Sequence, residues 1–270
     1  MFVDTHAHLN MPPLYASWQD KVIAARKAGV EVMIVPGVDE ETNNKSLELA
    51  RESDHIYAAI GIHPEKVSGD SEEIPYFQVY LESLSVKLTH EKVVAVGEIG
   101  LDYFRLNDNH QALDIIKNQR RLFKQQLSMA VESDLPVIIH TRTQQAMSDA
   151  VSDIKSVYGQ KKFKGVFHCF TGSTGFYEEL QDMGAMIGVG GLISRENQDS
   201  LRQVIAKMAM ESILLETDSP YLTPQGAFEK VNQPAYVTIT AQRLAEIFSV
   251  SLPIISEKTS RNAYRLFSRI

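Results

Sequence analysis

Eight times along this chain a short apolar, β-branched run gives way to a longer amphipathic stretch, and that alternation leaves few folds open. The runs are Phe2 to Thr5, Glu31 to Pro36, Tyr57 to Ile62, Val93 to Gly97, Pro136 to Ile139, Gly165 to Phe167, Met186 to Val189 and Ile213 to Glu216. Apolar residues on successive positions, rather than every second one, suit strands buried on both faces. The stretches between them carry helical spacing. Trp18 to Ala28 stops at Gly29, a C-terminal cap, and Glu40 to Arg51 follows the same logic. Gln111 to Ser133 places Leu122, Phe123, Leu127 and Val131 on one face, and Pro136 lies just beyond its end. Gly175 to Met183 is closed by Gly184, Gln198 to Met208 precedes the last strand, and Tyr236 to Phe248 and Ser256 to Phe267 follow it. Strand and helix in alternation predict a parallel α/β architecture. A doubly wound open sheet competes with a (β/α)8 TIM barrel. The barrel is preferred because polar residues end many strands instead of gathering at one switch point.

At 270 residues, with 44% hydrophobic and 23% charged, the chain can fill one barrel core, and residues 1–270 read as a single domain. The net charge of −7, without a basic block, argues against a broad grip on duplex DNA. Any nucleic acid is expected at a local site where metal ions supply the positive charge. Cys169 is the only cysteine, which excludes an internal disulfide and favours a reducing compartment. The first residues already read as structure, and no segment has the length and apolarity to span a bilayer. A soluble cytoplasmic enzyme with no membrane contact and no obligatory protein partner is expected.

Chemistry gathers at the strand ends. In Asp4-Thr5-His6-Ala7-His8 the alternation of a strand sends both imidazoles to one side, where they can share a divalent ion. Glu98 follows the fourth run, His140 ends the fifth, His168 the sixth, and Asp218 lies just past the eighth. Barrel chemistry collects at that end, and convergent titratable groups mark a site. Any one of these side chains could be a hydrogen-bonded core residue or a turn cap; six at one mouth point to metal binding. Four imidazoles and two carboxylates suit Zn²⁺, Mn²⁺ or Fe²⁺, whereas Mg²⁺ prefers oxygen. Six ligands exceed the need of one tetrahedral ion, and two ions bridged by Glu98 would use them all. Cys169 is expected to point to the opposite side of its strand as a packed thiol.

These residues resemble the TatD family of metal-dependent deoxyribonucleases, within the amidohydrolase-like barrels. The resemblance rests on Asp4 to His8, Gly61-Ile-His-Pro64, Gly97-Glu-Ile-Gly-Leu-Asp-Tyr103, Pro136 to His140, His168-Cys-Phe-Thr-Gly172 and Glu216-Thr-Asp-Ser-Pro-Tyr-Leu-Thr-Pro224, in the family's order, with Asn232-x-Pro234 beyond. It implies a (β/α)8 barrel and two divalent metal ions (Mg²⁺, Zn²⁺ or Mn²⁺) held by His6, His8, Glu98, His140, His168 and Asp218. It also implies phosphodiester hydrolysis by metal-activated water, commonly 3′→5′ exonuclease action on single-stranded DNA. Asp218, Glu98 and His63 are then the catalytic candidates, and His63, Arg142 and Lys230 the candidate substrate contacts. Tyr103 and Phe104 follow the Glu98 strand, where they either stack on a base or pack in the core.

Two departures from the family pattern stand out. The fifth strand continues His140-Thr-Arg-Thr-Gln, keeping Arg142 but not the usual acid. The loop after the last strand reads Gly226-Ala-Phe-Glu-Lys-Val-Asn-Gln-Pro234 where the family carries a basic, arginine-containing stretch. The altered loop keeps open a hydrolase of another ester: a small phosphoester, lactone or aminoacyl ester. A non-catalytic metal-binding protein is the third expectation, opposed by the intact ligand set.

Overall fold

The computed structural model describes residues 1–69, 73–106 and 110–270. Eight strands pair in sequence order, each parallel to the next. They are β1 (Phe2–Asp4), β2 (Val30–Pro36), β3 (Ile56–Ile60), β4 (Val93–Asp102), β5 (Val137–Arg142), β6 (Gly165–Phe167), β7 (Met186–Val189) and β8 (Ile213–Leu215). The ring closes just past β1: the Thr5 N–H donates to the Leu215 carbonyl at 3.0 Å, the Asp218 N–H to the His6 carbonyl at 2.8 Å, and Ala7 pairs with Ser219. Helices α1 (Trp18–Lys27), α2 (Glu40–Glu52), α3 (Glu73–Lys87), α4 (Ala112–Glu132), α5 (Gln144–Tyr158), α6 (Thr174–Asp182) and α7 (Asp199–Ile205) lie between successive strands, and α8 (Val237–Phe248) and α9 (Leu252–Leu266) follow β8. This is the expected (β/α)8 barrel.

The unbroken apolar runs have a simple cause. In β2, Val32 and Ile34 belong to the inner core while Met33 and Val35 belong to the layer under the helices; β5 divides Ile138 from Val137 and Ile139 in the same way. Burial of such a side chain contributes on the order of 1.5–3 kcal/mol, so both faces must stay apolar. The inner core also includes Ala263 and Phe267, from α9 and the residue after it, so α9 packs against one end of the barrel. Arg269 fastens the same region by donating to the carbonyls of Leu88 and Val93. That end is closed by packing, which leaves the other for chemistry.

Strand β4 departs most from its predicted bounds, running to Asp102 instead of ending at Gly97. Val96 pairs with Val137 and Ile99 with Ile139, so β4 carries one residue more than β5 across this interval. Such a bulge re-aims a side chain, and the residue it re-aims is Glu98.

Candidate metal centre

Glu98 is buried at the centre of the open end, and its two carboxylate oxygens face two different groups. Oε2 lies 3.3 Å from His6 Nε2 and 3.6 Å from His8 Nε2. Asp218 Oδ1 completes that group, 3.7 Å from His6 Nε2 and 3.5 Å from His8 Nε2. Oε1 lies 2.8 Å from His168 Nε2, 3.1 Å from His140 Nδ1 and 3.3 Å from His63 Nε2. The six side chains expected at the strand ends are thus brought together, with Glu98 between the two halves. The elements explain the convergence. His6 and His8 follow β1, His140 stands on β5, His168 follows β6 and Asp218 follows β8. Asp218 has φ of 56° and Cys169 a φ of 48°, left-handed backbone that is uncommon for residues with a Cβ and that clusters at functional sites.

For His8, His140 and His63 a hydrogen bond on the far side of the ring decides what the near side offers. His8 Nδ1 donates to the Pro36 carbonyl at 3.2 Å, so Nε2 turns a lone pair toward Asp218 and Glu98. His140 Nε2 donates to Asp102 Oδ2 at 3.0 Å, which frees Nδ1 for the centre. Asp102 is itself fixed by the Phe104 N–H at 2.9 Å. His63 is the reverse: its Nδ1 accepts the Glu65 N–H at 3.1 Å, so the hydrogen sits on Nε2 and points at Glu98. His63 therefore reaches the centre as a proton donor, not as a lone pair. This separates it from His8 and His140, although it lies close enough to Glu98 and His140 to share an ion.

Electrostatics follow from burial and crowding. Burial pushes His6 down to about 4, keeping it neutral. Burial would raise Glu98, yet the surrounding His168, His63 and His6 hold it well below the usual carboxylate range. Asp218 is lowered in the same way, against burial, by His8, His6 and His168. For His140 burial alone would lower the value, but Asp102 and Glu98 raise it to about 9. Glu216 is fully buried, and that desolvation lifts it to about 8. Its Oε1 accepts the Cys169 N–H at 2.5 Å and lies 3.8 Å from His168 Nδ1.

The donor set fits divalent cations. Bonds of about 2.0–2.2 Å to one ion set neighbouring ligand atoms roughly 3–3.6 Å apart, close to the separations within each half. Among the described residues His6 Nδ1, His168 Nδ1 and Glu216 Oε2 are buried without a hydrogen-bond partner. Polar atoms are rarely left so in a protein interior. The outer nitrogens of His8 and His140 are held by a carbonyl and a carboxylate, the usual surroundings of a metal-ligating imidazole.

The centre lies in a cavity of about 630 Å³, whose lining includes His63, Arg142 and Cys169. Arg142 stands at its rim with its guanidinium 3.8 Å from the centroid of the Phe104 ring. Lys230 is exposed on the loop after β8 and is not part of this lining; its carbonyl accepts the Thr223 hydroxyl. Tyr103 is a core residue whose hydroxyl donates to Asp149 at 3.2 Å. Cys169 lines the cavity rather than the opposite side, because its left-handed backbone breaks the strand alternation the expectation rested on. Burial raises its thiol well above the ordinary value, so it stays protonated and is a poor nucleophile. Asp102 and Glu216 support the site without having been singled out from sequence, although both sit inside the quoted motifs. Their parity with Glu98 and Asp218 along the chain was the available signal.

The profile of TatD related DNases matches residues 3–268. YabD of Bacillus subtilis (strain 168), named a metal-dependent hydrolase, is 36% identical over 267 residues, covering 99% of each chain. A protein of Pantoea ananatis (strain LMG 20103), named 3′-5′ ssDNA/RNA exonuclease TatD, is 30% identical over 95% of each chain. Among solved structures, the TatD homologue YjjV of Escherichia coli K12 superposes with a TM-score of 0.86 at 34% identity, over 99% of this chain and 98% of its own.

Proposed function

This chain belongs to the TatD family of metal-dependent hydrolases, and from that premise we propose that residues 1–270 form one hydrolase domain that cleaves DNA phosphodiester bonds, acting 3′→5′ on single strands. The observation that carries the reading is the division of Glu98: one oxygen toward His6, His8 and Asp218, the other toward His140 and His168. In this reading His6, His8 and Asp218 would hold one divalent ion and His140 and His168 another, with Glu98 serving both halves. When bound, the pair lowers the pKa of an attacking water and neutralises charge developing on the phosphoryl oxygens. The exonuclease named in Pantoea supports a nucleic-acid substrate. The single Cys169, and the lack of any helix long and apolar enough to cross a membrane among the described residues, fit a cytoplasmic enzyme.

The chain's own residues have distinct tasks. His6, kept neutral by burial, and His8, its Nδ1 hydrogen committed to Pro36, present lone pairs at neutral pH. His140 gives up a proton to do the same. Asp218, held ionised by the neighbouring imidazoles, accepts the proton of the attacking water. His63 donates its Nε2 hydrogen to a non-bridging oxygen of the scissile phosphate, a contact that strengthens as charge builds there. Arg142 contacts phosphate from the rim.

The test is a metal-reconstituted screen on 3′-ended single strands, duplexes, model phosphodiesters and carboxylic esters. Release of 3′-terminal nucleotides, abolished by chelator and reduced at least 100-fold in E98Q, is expected. Full metal occupancy with turnover of carboxylic esters alone would overturn it. That second reading, a hydrolase of another ester, is favoured by one observation: Lys230 is absent from the cavity lining and the loop around it has no arginine.

A further inference from the structure

Outward from Glu98 the cavity runs between two walls of opposite character. Arg105 and Arg142, at the ends of β4 and β5, line one side. Met11, Tyr221 and Leu222, from the segments after β1 and β8, line the other. The cationic wall is braced, since the Arg142 guanidinium carbon sits over Phe104, 3.8 Å from the ring centroid. Among the described residues Arg142 forms no ion pair, whereas Lys66, at the same rim, is tied to Asp39 at 2.8 Å. The apolar wall holds an aromatic ring that packing does not account for. Tyr221 is 52% exposed, edge-on to His8 with ring centroids 6.0 Å apart, and its hydroxyl lies 3.9 Å from Met11 Sδ.

A bare phosphoester has no use for the second wall; a nucleotide unit does. We propose that the two walls read the two parts of a nucleotide: Arg105 and Arg142 take the backbone phosphate next to the scissile one, and Tyr221, backed by Met11 and Leu222, stacks on the adjoining base. This rests on the phosphodiesterase reading above and adds the basis on which it selects a nucleic-acid strand. Guanidinium groups suit phosphate oxygens because of their fork of donors. An aromatic face accepts any base, so the pocket discriminates strand from small ester without preferring a sequence.

The experiment compares two single strands of equal length, one complete and one abasic at its last 3′ units, with the metal-loaded protein. KM is measured on hydrolysable strands, and Kd on phosphorothioate strands by fluorescence anisotropy. The wild type is expected to prefer the complete strand by roughly tenfold or more, the range of one base–aromatic stack. Y221A brings that ratio toward one, and Y221F retains it. In R105A/R142A the slope of log Kd against log salt becomes shallower by about 0.7, the release expected for one neutralised phosphate on a single strand. An unchanged base preference in Y221A, or an unchanged salt slope in the double variant, overturns the proposal while leaving the nuclease reading intact. A wild type that cleaves neither strand overturns both.

Discussion

An imidazole offers a site either a lone pair or a proton, and the group on its far nitrogen decides which. His140 and His63 stand side by side with ring centroids 4.5 Å apart, yet Asp102 makes one a lone-pair donor and the Glu65 N–H makes the other a proton donor. The same residue type at the ends of β3 and β5, on either side of β4, thus receives two roles. D102N tests the first. An asparagine oxygen still accepts from His140 Nε2, but the carboxylate's charge is lost, and with it much of the ring's basicity. The affinity of the half built by His140 and His168 is expected to fall about 10–100-fold, the usual cost of losing such a partner, read by isothermal titration with Zn²⁺ or Mn²⁺. A D102N protein with wild-type affinity for both equivalents would show that Asp102 serves only the Phe104 turn.

Elements set how closely those residues approach. On β7, Gly188 faces Glu216 so tightly that a Cβ would lie 2.2 Å from Oε2 and 2.9 Å from the His168 Cα. Two residues on, a Cβ at Gly190 would meet Glu216 atoms only at 3.6 Å or more, an ordinary contact. G188A is therefore expected to destabilise the protein by about 1–3 kcal/mol, as overpacking does, and to weaken metal uptake, whereas G190A stays near wild type. Urea unfolding of both variants checks this, and equal midpoints would contradict it. Strand β4 marks where sequence reasoning stops. His6, His8, Glu98, His140, His168 and Asp218 were legible because each follows an apolar run that needs no polar residue. The bulge that turns Glu98 inward was not, since nothing in Val96-Gly97-Glu98-Ile99 distinguishes a regular strand from one with an extra residue. Two helices also escaped. In α3 the exposed Val79 and Val86 blur the stripe of Phe77, Tyr80, Leu81 and Leu84, and in α5 the buried face includes the small Ala146 and Ala150. Lys230 looked like a phosphate contact because a loop's distance from the cavity is not written in its composition.

At the scale of the whole molecule, the barrel carries its site as a store of displaced protonation equilibria. Burial disfavours the charge of Glu216 and pushes its carboxyl up from an ordinary 4.5 to about 8. The folded state holds that proton more tightly than the unfolded chain, so the contribution to stability is complete below about 4.5 and is lost as pH rises through about 8. Asp4, raised to about 7 by burial, acts in the same direction. Glu98 and Asp218, held low by the imidazoles around them, act in the opposite one and lose their contribution as pH falls. Chelator-treated protein should therefore melt highest in weakly acidic buffer and at falling temperature from pH 5 to pH 8. In E216Q, where nothing titrates at that position, the decline should flatten. Calorimetric melts across this range decide the matter, and an E216Q profile parallel to wild type would remove Glu216 as the cause.

Asn232 is buried and donates to the carbonyls of Thr217 and Tyr221, and Pro224 is buried at the other root of the same loop. Between these two posts the chain swings clear of the histidine ring and ends in a fully bare phenyl group, Phe228 at 98% exposure. None of residues 225–231 lines the cavity around Glu98, so changes there would leave the bond-breaking machinery in place.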